Sequence, residues 1–206
     1  MPLLIDGYNL MYGAGIVGDV RGPRGFERSR AALISFVSRV IADTDRAGTT
    51  IVFDAAGAPP GLPATLSFEG ILVRFARGYN DADELIEELI QKDNSPRKLT
   101  VVSSDHRVQR AAKRRKAEAI DSDVWFETAL RKHRDGDAAR KAADGPKPES
   151  GGNADVAFWL DQIIGDKEIE KGLANWNDVV PQRLKSEMRT QKSEPKEQKK
   201  KKKRRL

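Results

Sequence analysis

Short apolar segments alternating with stretches of helical periodicity constrain this chain more than any other feature. PLLI (2–5), TIVF (50–53), ILVRFA (71–76) and LTVV (99–102) have strand length, and a weaker AEAI (117–120) follows. Between the first two, Leu33, Ile34, Val37, Val40 and Ile41 recur at the spacing of one helix face, and Gly48 ends that run. Leu85, Ile86, Leu89 and Ile90 repeat the pattern after the third strand. Arg107 to Lys116 reads as a short basic helix and Val124 to Leu130 as another, so the order is βαβ, loop, βαβαβα. Strands that are apolar almost without interruption are buried on both faces, which requires helices on either side of a parallel sheet. The prediction is an α/β fold: three layers, α/β/α, around a mostly parallel sheet of about five strands.

Four aspartates fall at the ends of these strands or on the turns after them: Asp6, Asp54, Asp83 and Asp105. In an open parallel sheet the carboxyl ends of the strands border one crevice, so acids far apart in sequence can meet there. Carboxylates that converge in a partly desolvated crevice either take up protons or hold hard cations. A Mg²⁺ or Mn²⁺ site follows, since both ions take oxygen ligands. Asp6 ends an apolar strand, where a charge adds nothing to packing, and Asn9 one turn later has an amide able to orient a carboxylate. Asp81, three residues before Glu84, reads as a helix N-cap with its capping box, which leaves Asp83 for the metal. Asp105 is read as a ligand over a cap, Asp54 as a weaker ligand, and Asp121 and Asp123 mainly as turn and cap residues.

Composition narrows the chemistry. Cysteine is absent and His106 and His133 are the only histidines, which excludes disulfides, thiolate centres and a cysteine nucleophile, and makes a histidine-built zinc site improbable. No stretch is apolar enough to span a bilayer and Met1 runs straight into the first strand, so neither a leader nor a membrane partner is expected; the expectation is a cytoplasmic protein. Residues 1–130 carry 17 basic against 18 acidic side chains and residues 131–206 carry 20 against 13. The positive charge therefore belongs to the C-terminal part, which suggests a polyanionic partner; of the two candidates, nucleic acid and an anionic membrane surface, nucleic acid is the expected one. The predicted organisation is a domain at 1–132, a linker at 133–153, a short helical appendage at 154–190 around Phe158, Trp159 and Trp176, and a disordered Lys/Arg-rich tail at 191–206.

Leu4-Ile5-Asp6-Gly7-Tyr8-Asn9, Val52-Phe53-Asp54, Ala82-Asp83-Glu84-Leu85-Ile86-Glu87 and Ser103-Ser104-Asp105 together resemble the YacP-like branch of the NYN domains, within the PIN-like nucleases. The resemblance covers about residues 2–130. It implies a Rossmann-like fold, metal-dependent endoribonuclease activity, and an acidic cluster onto which Asp6, Asp83 and Asp105 map; Asp54 matches a position often acidic in the group. Cleavage by a water activated at the metal would leave a 5′-phosphate and a 3′-hydroxyl.

An acidic crevice repels RNA, so basic groups outside it must take the substrate phosphates. Arg21, Arg24 and Arg77 on the predicted rim and Arg107 and Arg110 on the basic helix are the candidates, with Tyr79 placed to stack on an unpaired base. Single-stranded or unpaired RNA is the expected substrate, the ribosome is a compatible platform, and a homodimer is compatible with the group. The tail would add affinity that falls steeply with salt. The alternative is a non-catalytic RNA-binding or ribosome-associated module on the same fold. A small-molecule phosphatase is disfavoured, because neither a P-loop nor a nucleophile signature is present.

Overall fold

The computed structural model describes residues 1–16, 25–55 and 63–144, with side chains through residue 136. The predicted tail, the 154–190 appendage, Arg21 and Arg24, and most of the Ala55–Ala64 loop lie outside the described residues. Six strands form one sheet: β1 (Leu3–Asp6), β2 (Thr49–Phe53), β3 (Thr65–Phe68), β4 (Ile71–Phe75), β5 (Thr100–Val102) and β6 (Glu118–Ile120), in the spatial order β3-β4-β2-β1-β5-β6. All pairs are parallel except β3 with β4. The sheet therefore has one strand more than the five expected, and the sixth is the antiparallel edge. A two-residue turn, Glu69 and Gly70, joins β3 to β4, and both residues have positive φ (48° and 88°). That geometry matches the strand twist of a tight hairpin and is cheap only where one residue is glycine.

Among the described residues six α-helices flank the sheet, α1 (Gly7–Gly13), α2 (Gly25–Val40), α3 (Asp43–Arg46), α4 (Ala82–Lys92), α5 (His106–Arg114) and α6 (Ser122–Asp144), and a single 3-10 turn, Pro96–Lys98, precedes β5. Strand side chains alternate between the two faces, and both faces are apolar. Ile5, Ile51, Phe53, Val73, Phe75 and Val102 point into one core with α1, α2 and α6. Leu4, Val52, Ala76 and Val101 point into the other, with α4 and α5. The rings of Phe36 on α2 and Phe126 on α6 lie 4.8 Å apart and tie the first layer together. The result is the three-layer arrangement predicted from the continuously apolar strands.

Three helical segments differ from expectation. The long helix read through Ile41 to Gly48 stops at Val40, and α3 fills the interval before β2. Residues Gly7–Gly13 form a helix where only a turn was read, because Asp6 caps it and Leu10 and Met11 are fully buried beneath it. The last helix runs on to Asp144, past Leu130 and into the segment read as linker. Ala, Lys and Arg there favour helix by intrinsic propensity although their apolar periodicity is weak.

Candidate active site

The chain leaves β1 toward β2 and later returns to β5 on the opposite side of β1, so the strand order reverses between β1 and β5. Ligands of open α/β sheets bind beyond the carboxyl ends of the strands at such a reversal. Parity then decides which side chains meet. Leu4 and Val101 face α4 and α5, and Asp6 and Ser103, each two residues on, face the same way. The register sets Ile5 beside Val102, which brings Asp6 and Ser103 side by side one step further.

Asp6 is 3% exposed and its carboxylate is engaged on both oxygens. Oδ1 accepts from the Asn9 backbone N–H at 3.1 Å, which makes Asp6 the N-cap of α1. Oδ2 accepts from Asn9 Nδ2 at 2.6 Å and from Ser103 Oγ at 3.0 Å. Burial raises its pKa; the bonds from Asn9 and Ser103 oppose the rise, and the charge of Asp105 adds to it. Asn9 thus orients Asp6. Gly7 cannot be larger: a Cβ there would stand 2.4 Å from Phe53 Cε1. The Asp-Gly-Tyr-Asn run is a helix-capping carboxylate, a close approach to the core, a packing ring and an orienting amide.

Ser103 is the residue that sequence reasoning passed over. It is fully buried, and its hydroxyl donates to Asp6 while accepting the Asp105 N–H at 3.1 Å. One side chain thereby couples the β1 carboxylate to the turn that carries Asp105. The only sequence signal was a small polar residue at the end of an apolar strand, in the same place as Asp6. Gln109, also buried, donates through Nε2 to the Ser103 carbonyl at 2.9 Å and to Asp121 Oδ1 at 2.7 Å. Asp121 therefore serves the second layer behind Ser103.

Asp83 sits on the first turn of α4 and Asp105 at the N-cap of α5, where its side chain accepts from the Arg107 N–H. Asp105 is thus a cap as well as a member of the acidic group. Asp81 caps α4 through the Glu84 N–H at 2.8 Å, as read from the sequence, but Glu84 reaches back to Asn80, at 2.8 Å from its N–H. Desolvation first, then the charges of Asp105, Asp6 and Asp81, push the Asp83 carboxyl up to about 6; Arg107 opposes them. The three acids therefore share one field. Asp54 lies half-buried after β2, at the neighbouring strand end.

Arg107 spans the mouth. Its Nε donates to Glu87 at 2.7 Å, Nη1 donates to Asp81 at 3.1 Å, and Nη1 stands 3.9 Å from Asp83. A residue expected to meet RNA phosphate is thus held by acids. Tyr79 likewise gives its hydroxyl to Glu88 at 3.0 Å and packs its ring on the α4–α5 core, which accounts for it as a packing residue. Arg77 and Arg110 are exposed at the surface.

Among the described residues no three acidic or imidazole side chains are arranged closely enough to grip a metal ion as they stand. The donor set nevertheless fits a hard divalent cation. It is all oxygen, and the mutual repulsion that raises Asp83 is what such an ion would relieve. No helix among the described residues is long and apolar enough to cross a membrane.

No protein of curated function matches the chain. Two crystal structures of Rae1 (YacP) from Bacillus subtilis are similar to it. One, a point variant, is 22% identical with a TM-score of 0.49, covering 84% of this chain and 98% of that one. The other is 24% identical with a TM-score of 0.47, covering 86% and 95%. The model of the YacP-like NYN domain matches residues 3–154, reaching beyond the span recognised from the motifs and taking in the whole of α6. Three quarters of the sequence lie within that match, and the chain belongs to the YacP-like NYN domain family, a branch of the PIN-like nucleases, which act on RNA.

Proposed function

We propose that the protein is a metal-dependent endoribonuclease that hydrolyses RNA phosphodiester bonds in the crevice between β1 and β5. The observation that carries the reading is the shared field of Asp6, Asp83 and Asp105, in which a partly buried carboxyl is raised to about 6 by its neighbours. Structural carboxylates are paired or hydrogen-bonded so that they ionise easily; a group of acids left repelling one another suits a bound cation.

Asp6, Asp83 and Asp105 would hold one or two Mg²⁺ or Mn²⁺ ions, with Asp54 within the same rim. When bound, such an ion would acidify water and offset charge developing on the phosphate. The chain's own groups do the rest. Asn9 and Ser103 fix the Asp6 oxygens, so the most buried carboxylate needs no reorganisation during the reaction. Arg107 balances Asp81, Glu87 and Asp83, and a phosphodiester entering the mouth would compete with those acids for its guanidinium. Neither histidine nor cysteine is required.

The test is cleavage of end-labelled single-stranded and structured RNAs by wild type and Asp6→Asn in Mg²⁺, Mn²⁺ or EDTA. Metal-dependent cuts with 5′-phosphate and 3′-hydroxyl ends, lost in the variant, are expected. A 2′,3′-cyclic phosphate product would sink the mechanism. RNA binding without cleavage, unchanged in Asp6→Asn, would favour a non-catalytic RNA-binding module, and added ribosomes would reveal a nuclease that needs that platform.

A further inference from the structure

The charges of α4 and α5 are sorted by end. Asp81, Asp83, Glu84 and Asp105 lie at the helix starts, beside the crevice; further along, Glu88 is held by Tyr79 and Lys92, and Asp93 and Glu118 are the acids of the far end. Both helices run antiparallel to the strands, so their far ends lie at the amino edge of the sheet, together with the chain entering β5 and β6. There Arg97, Lys98, Lys113, Arg114, Arg115 and Lys116 are all exposed, and none forms an ion pair with an acid among the described residues. The Arg115 guanidinium donates to the Asp93 carbonyl, at 3.1 Å. Between the ends of α4 and α5 a shallow cavity of about 170 Å³ is lined by Gln91, Ala111, Arg114 and Arg115. Two guanidinium groups and an amide around an open recess form a donor set for a phosphate oxygen.

Helix dipoles explain only part of this. Cations in the last turn, Lys92, Lys113 and Arg114, are favourable there. Arg97 and Lys98 sit on a single 3-10 turn, Pro96–Lys98, too short to carry an appreciable dipole, and Lys116 lies beyond the end of α5. Lys116 is placed against its own backbone preference. It follows α5 with φ of +62°, and the Ala117 N–H returns to the Ala112 carbonyl at 3.0 Å, a helix ending that normally uses glycine. A side chain kept where glycine is the cheaper residue points to a use for its charge.

We propose that this corner is a second RNA-backbone site, separate from the crevice, that holds the sugar-phosphate chain without regard to sequence and seats one phosphate in the Gln91–Arg114–Arg115 recess. The inference rests on the RNA reading above. At about 1.5 Å per residue, the nine residues of α5 set the corner about 13 Å from Asp105, so one RNA molecule reaches both. The repulsive, acidic end then performs the chemistry, and the cationic end supplies affinity.

The experiment measures binding of a fluorescent RNA by anisotropy, in EDTA and across a salt series, alongside cleavage in Mn²⁺, with the full chain throughout. For Arg114→Gln/Arg115→Gln the dissociation constant should rise at least fivefold near 0.1 M salt. The log–log salt slope should fall by about 1.4 to 1.8, from counterion release at two positions, and KM should rise with kcat unchanged. Arg131→Gln/Lys132→Gln, the same charge change on α6, should match wild type. Lys116→Gly supplies the readout that a folding role would not give: a higher melting temperature together with weaker RNA binding. The proposal is overturned if the Arg114/Arg115 variant keeps the wild-type slope, or if the α6 control loses as much. Patch-dependent binding without cleavage would sink the nuclease reading alone; cleavage with patch variants like wild type would sink this site alone.

Discussion

Replacing Asp83 by Asn should make the metal-free protein more stable while removing its activity. The carboxyl rises from 3.8 to about 6 on folding, and each unit corresponds to about 1.4 kcal/mol, so the ceiling is about 3 kcal/mol of destabilisation in the ionised state. The side chain is 23% exposed and partly screened by water, which lowers this to about 1.5 kcal/mol. Asn also gives up the favourable charge at the helix start, worth about 0.5 kcal/mol. A net gain of about 1 kcal/mol remains, or about 3 °C in Tm for a domain of this size. Between pH 3.8 and 6 the folded chain holds a proton that the unfolded chain has released. Wild-type stability therefore falls as pH rises through that window. The variant lacks this loss, so the difference should open between pH 4 and 6 and stay constant above. Thermal unfolding of both proteins in EDTA from pH 4 to 8 measures it. A variant no more stable than wild type at pH 8, or a gap of the same size at pH 4, would refute the shared-field argument. Adding Mn²⁺ at pH 8 should raise the wild-type Tm and move the variant less, since binding to the folded state alone stabilises it.

Ser103→Ala removes the hydroxyl between Asp6 and the Asp105 turn; it should cost about 1–3 kcal/mol in denaturant unfolding and lower kcat at least tenfold with KM little changed. In Gly7→Ala the new Cβ meets the Phe53 ring, and a loss of about 1–3 kcal/mol should appear as a lower midpoint in the same unfolding experiment. Phe126→Ala empties the contact with Phe36 and should cost about 3–5 kcal/mol, while any cleavage that survives at low temperature keeps its metal dependence.

The central strands and their two-faced burial were legible because apolar runs such as TIVF leave no polar face to put in water. The edge strand was not: in Thr65–Phe68 only Leu66 is buried, so it carries too little apolar signal to separate it from the loop before it. Asp6 and Asp105 could be read from their places after apolar strands, and Asp81 from its spacing to Glu84. Ser103 and Gln109 could not, since their partners depend on the register of β1 against β5, which no local pattern encodes. Arg107 was read by its charge as a phosphate ligand; its position opposite the first two turns of α4 also gives it Asp81 and Glu87 as partners, with which a phosphate must compete. A residue's sign was visible in the sequence; which neighbours compete for it was not.

The passage from β1 into α1 without an intervening residue has a consequence for how the crevice can adapt. The backbone of Asp6 belongs to the sheet on one side and to the first helical turn on the other, so that carboxylate has no hinge. Asp83 and Asp105 ride instead on the starts of two helices that pack on each other. Asp105 is tied to that same carboxylate through Ser103, whereas Asp83 is joined to it only through the packing of α4 on the sheet, so Asp6 is the fixed origin from which the other two are measured.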